Sequence, residues 1–273
     1  MVYALLYLPL SSHRSLLAET HHFDDSKVLT PTVRSNLMQA LCTPDTSLYQ
    51  SCGWATKVMS ARDISAGMLK PVGTYNLNAQ AMDATIELIK AVFARGVNVK
   101  EIYIDTIGSP QTYQKKLERI FPTTMITVAK KADSLYPCVS AASVCAKVTR
   151  DAALEVAYRA YMPSSSGHEV GADTVPAGEG WGSGYPSDAR ASSWLKRNMD
   201  PVFGWGTECR FSWGTAKDLL EAKGGGAKVD WPVDDDEETM RMTDFFSATC
   251  GEEDGAGDEL ATWFGRPVGE EVF

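Results

Sequence analysis

"EIYIDTIGSPQTYQKKLERIFPTTMITVAK", residues 101–130, decides the fold. Residues 101–105 form a short apolar run that closes on the carboxylate of Asp105. Its branched and aromatic side chains favour a strand. Ser109-Pro110 then opens a helix, with proline at the first helical position and Tyr113, Leu117 and Ile120 recurring on one face. "MITVAK", residues 125–130, returns to a strand. Strand, helix and strand in alternation predict an α/β protein.

The same alternation extends in both directions. Residues 2–9 read as a buried strand, and "LTPTVRSNLMQALC" (29–42) as a helix with Thr30 as N-cap and Pro31 at its first position. A further strand is expected in "GWATKVMS" (53–60). "YNLNAQAMDATIELIKAVFARG" (75–96) is a long helix, with Met82, Ile86, Ile89 and Phe93 at three-to-four spacing and Gly96 closing it. "CVSAASVCAKVTRDAALEVAYRAYM" (138–162) is a helix whose first half of Ala, Ser and Cys lets a neighbouring backbone come close. Residues 163–184 are rich in Ser, Gly and Pro and read as a loop. "SDARASSWLKRN" (187–198) and "SWGTAKDLLEAK" (212–223) are two short helices, each with a serine as candidate N-cap.

Charge is unevenly placed. Of the formal −9 carried by the 273 residues, residues 1–222 hold 22 Lys/Arg against 21 Asp/Glu, and residues 223–273 hold 4 against 14. The body is near neutral, so the overall acidity does not exclude a nucleic-acid partner. The tail's "VDDDEE" and "GEEDGAGDE" are too poor in apolar residues to offset chain entropy, so residues 224–273 are expected to be mostly disordered. Cys42, Cys52, Cys138, Cys145, Cys209 and Cys250 form no CxxC pair, which predicts reduced thiols in a reducing compartment. No run approaches the roughly 20 apolar residues of a membrane span. "MVYALLYLPL" lacks the basic flank and cleavage site of a signal peptide.

Two carboxylates stand out. Asp105 follows one strand, and Asp133, in "VAKKADSLYP", follows another. Ligands of open α/β sheets bind at the carboxyl ends of strands. Each position alone also suits a turn residue capping its own backbone. The pair points to a hard divalent cation such as Mg²⁺, and two such ions can activate water for phosphodiester cleavage. Such a site needs three or four carboxylates, and these are two. Lys130 and Lys131 flank the second strand, where a phosphate would lie. Tyr185, in the turn "GSGYPSD" (182–188), is either an ordinary turn aromatic or a surface on which a sugar or base stacks. His13, His21, His22 and His168 suggest no nucleophile–base pairing by spacing.

"IDTIG", "KKADSLYPCVSAASVCAKVTRD" and "GSGYPSD", in this order, resemble the large catalytic (A) subunit of eukaryotic type 2 ribonuclease H, and "DDSKVL", "YNLN", "PVFGW" and "RFSW" agree. The resemblance runs from Met1 to about Lys223. It implies a ribonuclease H-like fold: a mixed central sheet flanked by helices, then C-terminal helices and a disordered acidic tail. The division it suggests is a catalytic core over 1–162, a loop and helical part over 163–223, and the tail over 224–273. The implied activity is two-metal cleavage, with Mg²⁺ or Mn²⁺, of the RNA strand of RNA/DNA hybrids and on the 5′ side of single ribonucleotides in duplex DNA. Asp105 and Asp133 fall on family metal ligands, Tyr185 on the tyrosine that packs at the ribonucleotide sugar, and Lys27 and Asn76 near positions that hold phosphates. Arg150 is expected to be structural. The resemblance also implies two non-catalytic partner subunits in a heterotrimer, a nuclear location and no membrane. In the tail, "TMRMTDFF" (239–246) is similar to a weak sliding-clamp peptide, with Thr239 where Gln is usual.

One departure matters. The family's first strand bears Asp-Glu-Ala-Gly-Arg-Gly just ahead of the strand that here is "MVYALLYL", and supplies the other metal carboxylates. That motif is not among these residues. The expectation is that Met1 is an internal methionine, that the strand sits centrally beside the one carrying Asp105, and that these 273 residues alone do not cut. The competing expectation is a non-catalytic scaffold that binds the partner subunits.

Overall fold

The computed structural model describes residues 1–25, 28–70, 73, 75–161, 181–182, 188–200 and 202–223. In chain order the elements are β1 (Val2–Tyr7), α1 (Pro31–Cys42), α2 (Ser47–Ser51), β2 (Gly53–Val58), α3 (Ala61–Met68), α4 (Leu77–Ala94), β3 (Glu101–Asp105), α5 (Pro110–Ile120), β4 (Met125–Ala129), α6 (Ala132–Leu135), α7 (Pro137–Tyr161), α8 (Ala189–Arg197) and α9 (Gly214–Lys223). A 3-10 turn at Leu10–Ser12 and a π-helical segment at Ser15–Thr20 follow β1. Of the expected loop 163–184 only Trp181 and Gly182 are described, and the tail from 224, with its clamp-like peptide, lies outside the described residues.

Local chemistry sets these boundaries. Thr30 accepts the Val33 N–H through its hydroxyl and Pro31 stands at the first turn of α1. Asn76 caps α4 in the same way, its Oδ1 accepting the Ala79 N–H at 2.8 Å. Gly96 adopts φ 76° just past the end of α4, a left-handed conformation that costs glycine little. The expected serine caps are replaced: Asp188 caps α8, accepting the Arg190 N–H, and α9 begins at Gly214, two residues beyond Ser212. An aspartate is as good an N-cap acceptor as a serine, so the pattern alone could not choose.

Among the described residues the four strands pair in two ladders. β1 pairs antiparallel with β2, from Val2↔Val58 to Tyr7↔Gly53. β3 pairs parallel with β4, from Glu101↔Met125 to Asp105↔Ala129. Both strand senses are present, but among the described residues no ladder joins β1 to β3. The Tyr7 ring lies over Gly53, where a Cβ would come within 2.1 Å of it, so a larger residue there would force the ring to move.

Each sheet has its own core. Leu6, Leu17, Leu37, Leu41 and Leu48 pack against Ala141, Val144 and Cys145 of α7 beside β1. Ser140, Ala141, Val144 and Cys145 have no exposed surface, so the small side chains of α7 do let β1 come close. Tyr113, Leu117 and Phe121 pack against Ile126, Val128 and Ile89 under β3 and β4. A third cluster joins α8 and α9 through Leu195, Trp205, Cys209 and Ala216, with the Trp205 indole N–H donating to the Leu195 carbonyl. Among the described residues no helix is long and apolar enough to cross a membrane.

Candidate active site

Between β1 and β3 runs a groove of about 910 Å³. Its walls are the whole of β1 and β3, with Leu88, Ile89 and Val92 of α4 and Val139, Ala142 and Ala146 of α7. Asp105 and Asp133 both line it. The groove therefore lies beside the strand carrying Asp105.

The parallel pairing of β3 with β4 puts both strand ends on one side. Asp105 is opposite Ala129, and the chain needs only Lys130 and Lys131 to turn before α6 begins. Lys131 takes the left-handed conformation, φ 55°, which makes this turn tight. The Ala132 N–H then donates to Asp105 Oδ1 at 3.2 Å, and the Thr106 N–H donates to the same oxygen at 3.1 Å. The residue next to Asp133 is thus bonded to the carboxylate of Asp105. Gly108, φ 72°, closes the turn after β3, and its carbonyl accepts the Thr106 hydroxyl at 3.0 Å. Asp105 is exposed and Asp133 half-buried. Lys130 and Lys131 are exposed beside them. Among the described residues no group of three or more His, Cys, Asp or Glu side chains could hold a metal ion, so the pair stands without a third acid there.

The other residues singled out from the sequence fare differently. Asn76 does not line the groove; its side-chain oxygen is engaged in capping α4. Lys27 and Tyr185 lie outside the described residues. Asp25, two residues before Lys27, accepts the Ser134 hydroxyl at 3.3 Å, and the Asp24 carbonyl accepts the Ser140 hydroxyl. These bonds bring Asp24 and Asp25 to the turn that carries Asp133 and to the first turn of α7. Arg150 pairs with its neighbour Asp151.

Three aromatic residues to which the sequence assigns no role also meet here. The Tyr103 and Tyr136 rings stack at 4.3 Å, and His13 stacks on Tyr103 at 5.9 Å. The His13 Nε2 accepts the Cys138 N–H at 3.2 Å, which places its proton on Nδ1. Burial, with Arg14 adding to it and Glu101 opposing, holds this imidazole below its ordinary pKa. Spacing could not reveal the group, since its members are 33 to 123 positions apart.

The architecture defines a class. It is similar to solved type 2 ribonucleases H: the ribonuclease H2 of Pyrococcus horikoshii (TM-score 0.57, 21% identity, covering 81% of this chain and 98% of that one) and the ribonuclease HII in a complex with PCNA from Archaeoglobus fulgidus (TM-score 0.59, 22% identity, 80% and 88%). The Ribonuclease HII family model matches residues 1–216, and the chain belongs to that family. It is 60% identical to the ribonuclease H2 (A) subunit of Neurospora crassa over 100% of this chain and 81% of that protein. To the corresponding protein of Schizosaccharomyces pombe it is 46% identical (89% and 70%), and to that of Homo sapiens 38% (90% and 76%). The activity of the family is endoribonucleolytic hydrolysis of RNA/DNA hybrids, with a divalent metal. The scaffold reading is not better supported. These relatives are each named as one subunit of an enzyme, which implies a multi-subunit assembly.

Proposed function

We propose that Asp105 and Asp133 hold the divalent cation, Mg²⁺ or Mn²⁺, through which the RNA strand of a hybrid is cut. The supporting observation is the hydrogen bond to Asp105 Oδ1 from the N–H of Ala132, the residue before Asp133, in a groove that both aspartates line. Anionic oxygens are the donors such hard ions prefer. Asp105 turns Oδ1 to two backbone N–H groups, which leaves Oδ2 for a cation. A bound ion would supply an activated water and stabilise the leaving oxygen. The chain's own part is to fix the two carboxylates and to present Lys130 and Lys131 to the phosphate backbone. The groove takes an extended segment that pairs with both β1 and β3 and carries the remaining carboxylates. Its apolar walls and the two strand edges that no ladder joins among the described residues suit such a segment.

On this reading the substrates include duplex DNA with a single ribonucleotide, cut on its 5′ side. Tyr185 packs on the ribonucleotide sugar and Lys27 and Asn76 hold phosphates, by position in the sequence motifs. The assembly is a nuclear heterotrimer with two non-catalytic subunits, and the tail peptide at 239–246 makes a weak sliding-clamp contact. The test extends the chain at its N-terminus with a segment bearing Asp-Glu-Ala-Gly-Arg-Gly and assays hybrid and single-ribonucleotide duplexes with Mg²⁺ or Mn²⁺. Cleavage is expected, and Asp105→Asn or Asp133→Asn is expected to abolish it while hybrid binding survives. Cleavage that survives either substitution overturns the ligand assignment.

A further inference from the structure

We propose that the stack of His13, Tyr103 and Tyr136 is a positioning device that holds the Asp105 strand in register with the Asp133 turn. The proposal rests on the reading of those carboxylates as one cation site, but the device itself is defined by geometry. Tyr103 precedes Asp105 by two residues and so shares its face of β3. Tyr136 follows Asp133 by three and forms the joint between α6 and α7. Its N–H donates to the Ala132 carbonyl at 2.9 Å, and its carbonyl accepts the N–H groups of Val139 and Ser140 at 2.9 and 3.2 Å. The two rings lie 4.3 Å apart with planes at 28°, so a direct contact bridges β3 and the joint.

His13 closes the device from a third direction. It lies 5.9 Å from Tyr103 with planes at 27°, and its Nε2 accepts the N–H of Cys138 in the first turn of α7. The Tyr103 hydroxyl donates to Glu101 Oε2 at 2.5 Å, which restrains its ring along the strand. The need for such a device follows from the turn itself. α6 has four residues and starts from a left-handed lysine. A single helical turn is unstable without tertiary partners. The bond from Ala132 N–H to Asp105 depends on that turn keeping its place. No member of the stack is offered as a metal ligand; each acts through the backbone that carries one.

The experiment compares Tyr136→Leu, which removes the ring, with Tyr136→Phe, which keeps it. The first readout is amide hydrogen exchange at Ala132, with Leu88 of α4 as a remote control. Tyr136→Leu is expected to speed exchange at Ala132 about tenfold with Leu88 unchanged, and Tyr136→Phe to stay within about twofold, as for local opening of one unit. The second readout is Mn²⁺ binding by the N-terminally extended chain, followed by paramagnetic resonance of the free ion and expected to weaken about tenfold in Tyr136→Leu only, the usual effect of losing a residue that orients a metal ligand. Unchanged exchange at Ala132 in Tyr136→Leu, or equal acceleration in Tyr136→Phe, overturns the proposal. Should Asp105→Asn bind Mn²⁺ as the parent chain does, the cation reading fails, and Ala132 exchange still decides the positioning role.

Discussion

Replacing Asp105 separates its structural work from its chemistry. Asp105 Oδ1 accepts two backbone N–H groups, from Thr106 and Ala132. The Thr106 N–H also reaches the Ala129 carbonyl at 3.1 Å, so it keeps a partner when the carboxylate is removed. The Ala132 bond is the one that would be lost. A net hydrogen bond contributes about 0.5–1.5 kcal/mol, and the exposure of Asp105 lets water replace part of it. Asp105→Ala should therefore cost about 1 kcal/mol, or roughly 2–4 °C in Tm for a fold of this size. Asp105→Asn keeps an amide oxygen in the same place and should unfold within about 0.5 kcal/mol of the parent, as surface changes without a structural cause do. It removes the anionic charge, so Mn²⁺ binding by the N-terminally extended chain should be lost in both variants alike. Urea denaturation and Mn²⁺ titration on the same preparations measure the two effects. Equal destabilisation by Asn and Ala would refute the hydrogen-bond reasoning, and undiminished Mn²⁺ binding by Asn would refute the cation assignment.

Asn76→Asp keeps the cap on α4 and adds a negative charge; stability should hold while hybrid binding weakens if Asn76 faces phosphate, and unchanged binding at low salt would leave it a helix cap alone. His13 has a folded pKa below its ordinary value, so the unfolded chain binds the extra proton first as pH falls. Stability should be full above about pH 6.5 and decline below it until the folded pKa is reached, a slope that His13→Gln should remove. Burial pushes the thiols of Cys52 and Cys138 up to about 11 and those of Cys145 and Cys209 up to about 12, whereas Cys42 is exposed. Iodoacetamide at pH 8 should label Cys42 well ahead of those four, and peptide mapping that finds Cys145 modified in the folded protein would contradict the packing.

Much of this was legible along the chain. Strand 101–105, the Thr30 cap and the 75–96 helix rest on local rules of alternation, capping and periodicity, and each recurs at or near its expected bounds. The family, and with it the hydrolysis of RNA/DNA hybrids, was carried by motifs whose residues are close in sequence. The short helices α2, α3 and α6 were missed, because four to eight residues hold too little periodicity to register.

The sequence by itself determined the α/β class, the identities of the strands and the longer helices, and the two acids near strand ends, since these depend on neighbours a few residues apart. Only the tertiary structure decided that β1 pairs with β2 and β3 with β4, that a groove runs between β1 and β3, and that Ala132 bonds Asp105. It alone brought His13, Tyr103 and Tyr136 into one stack. The physical reason is range. Capping and periodicity act within one or two turns of chain, whereas ring stacking and strand pairing join residues that only folding brings together.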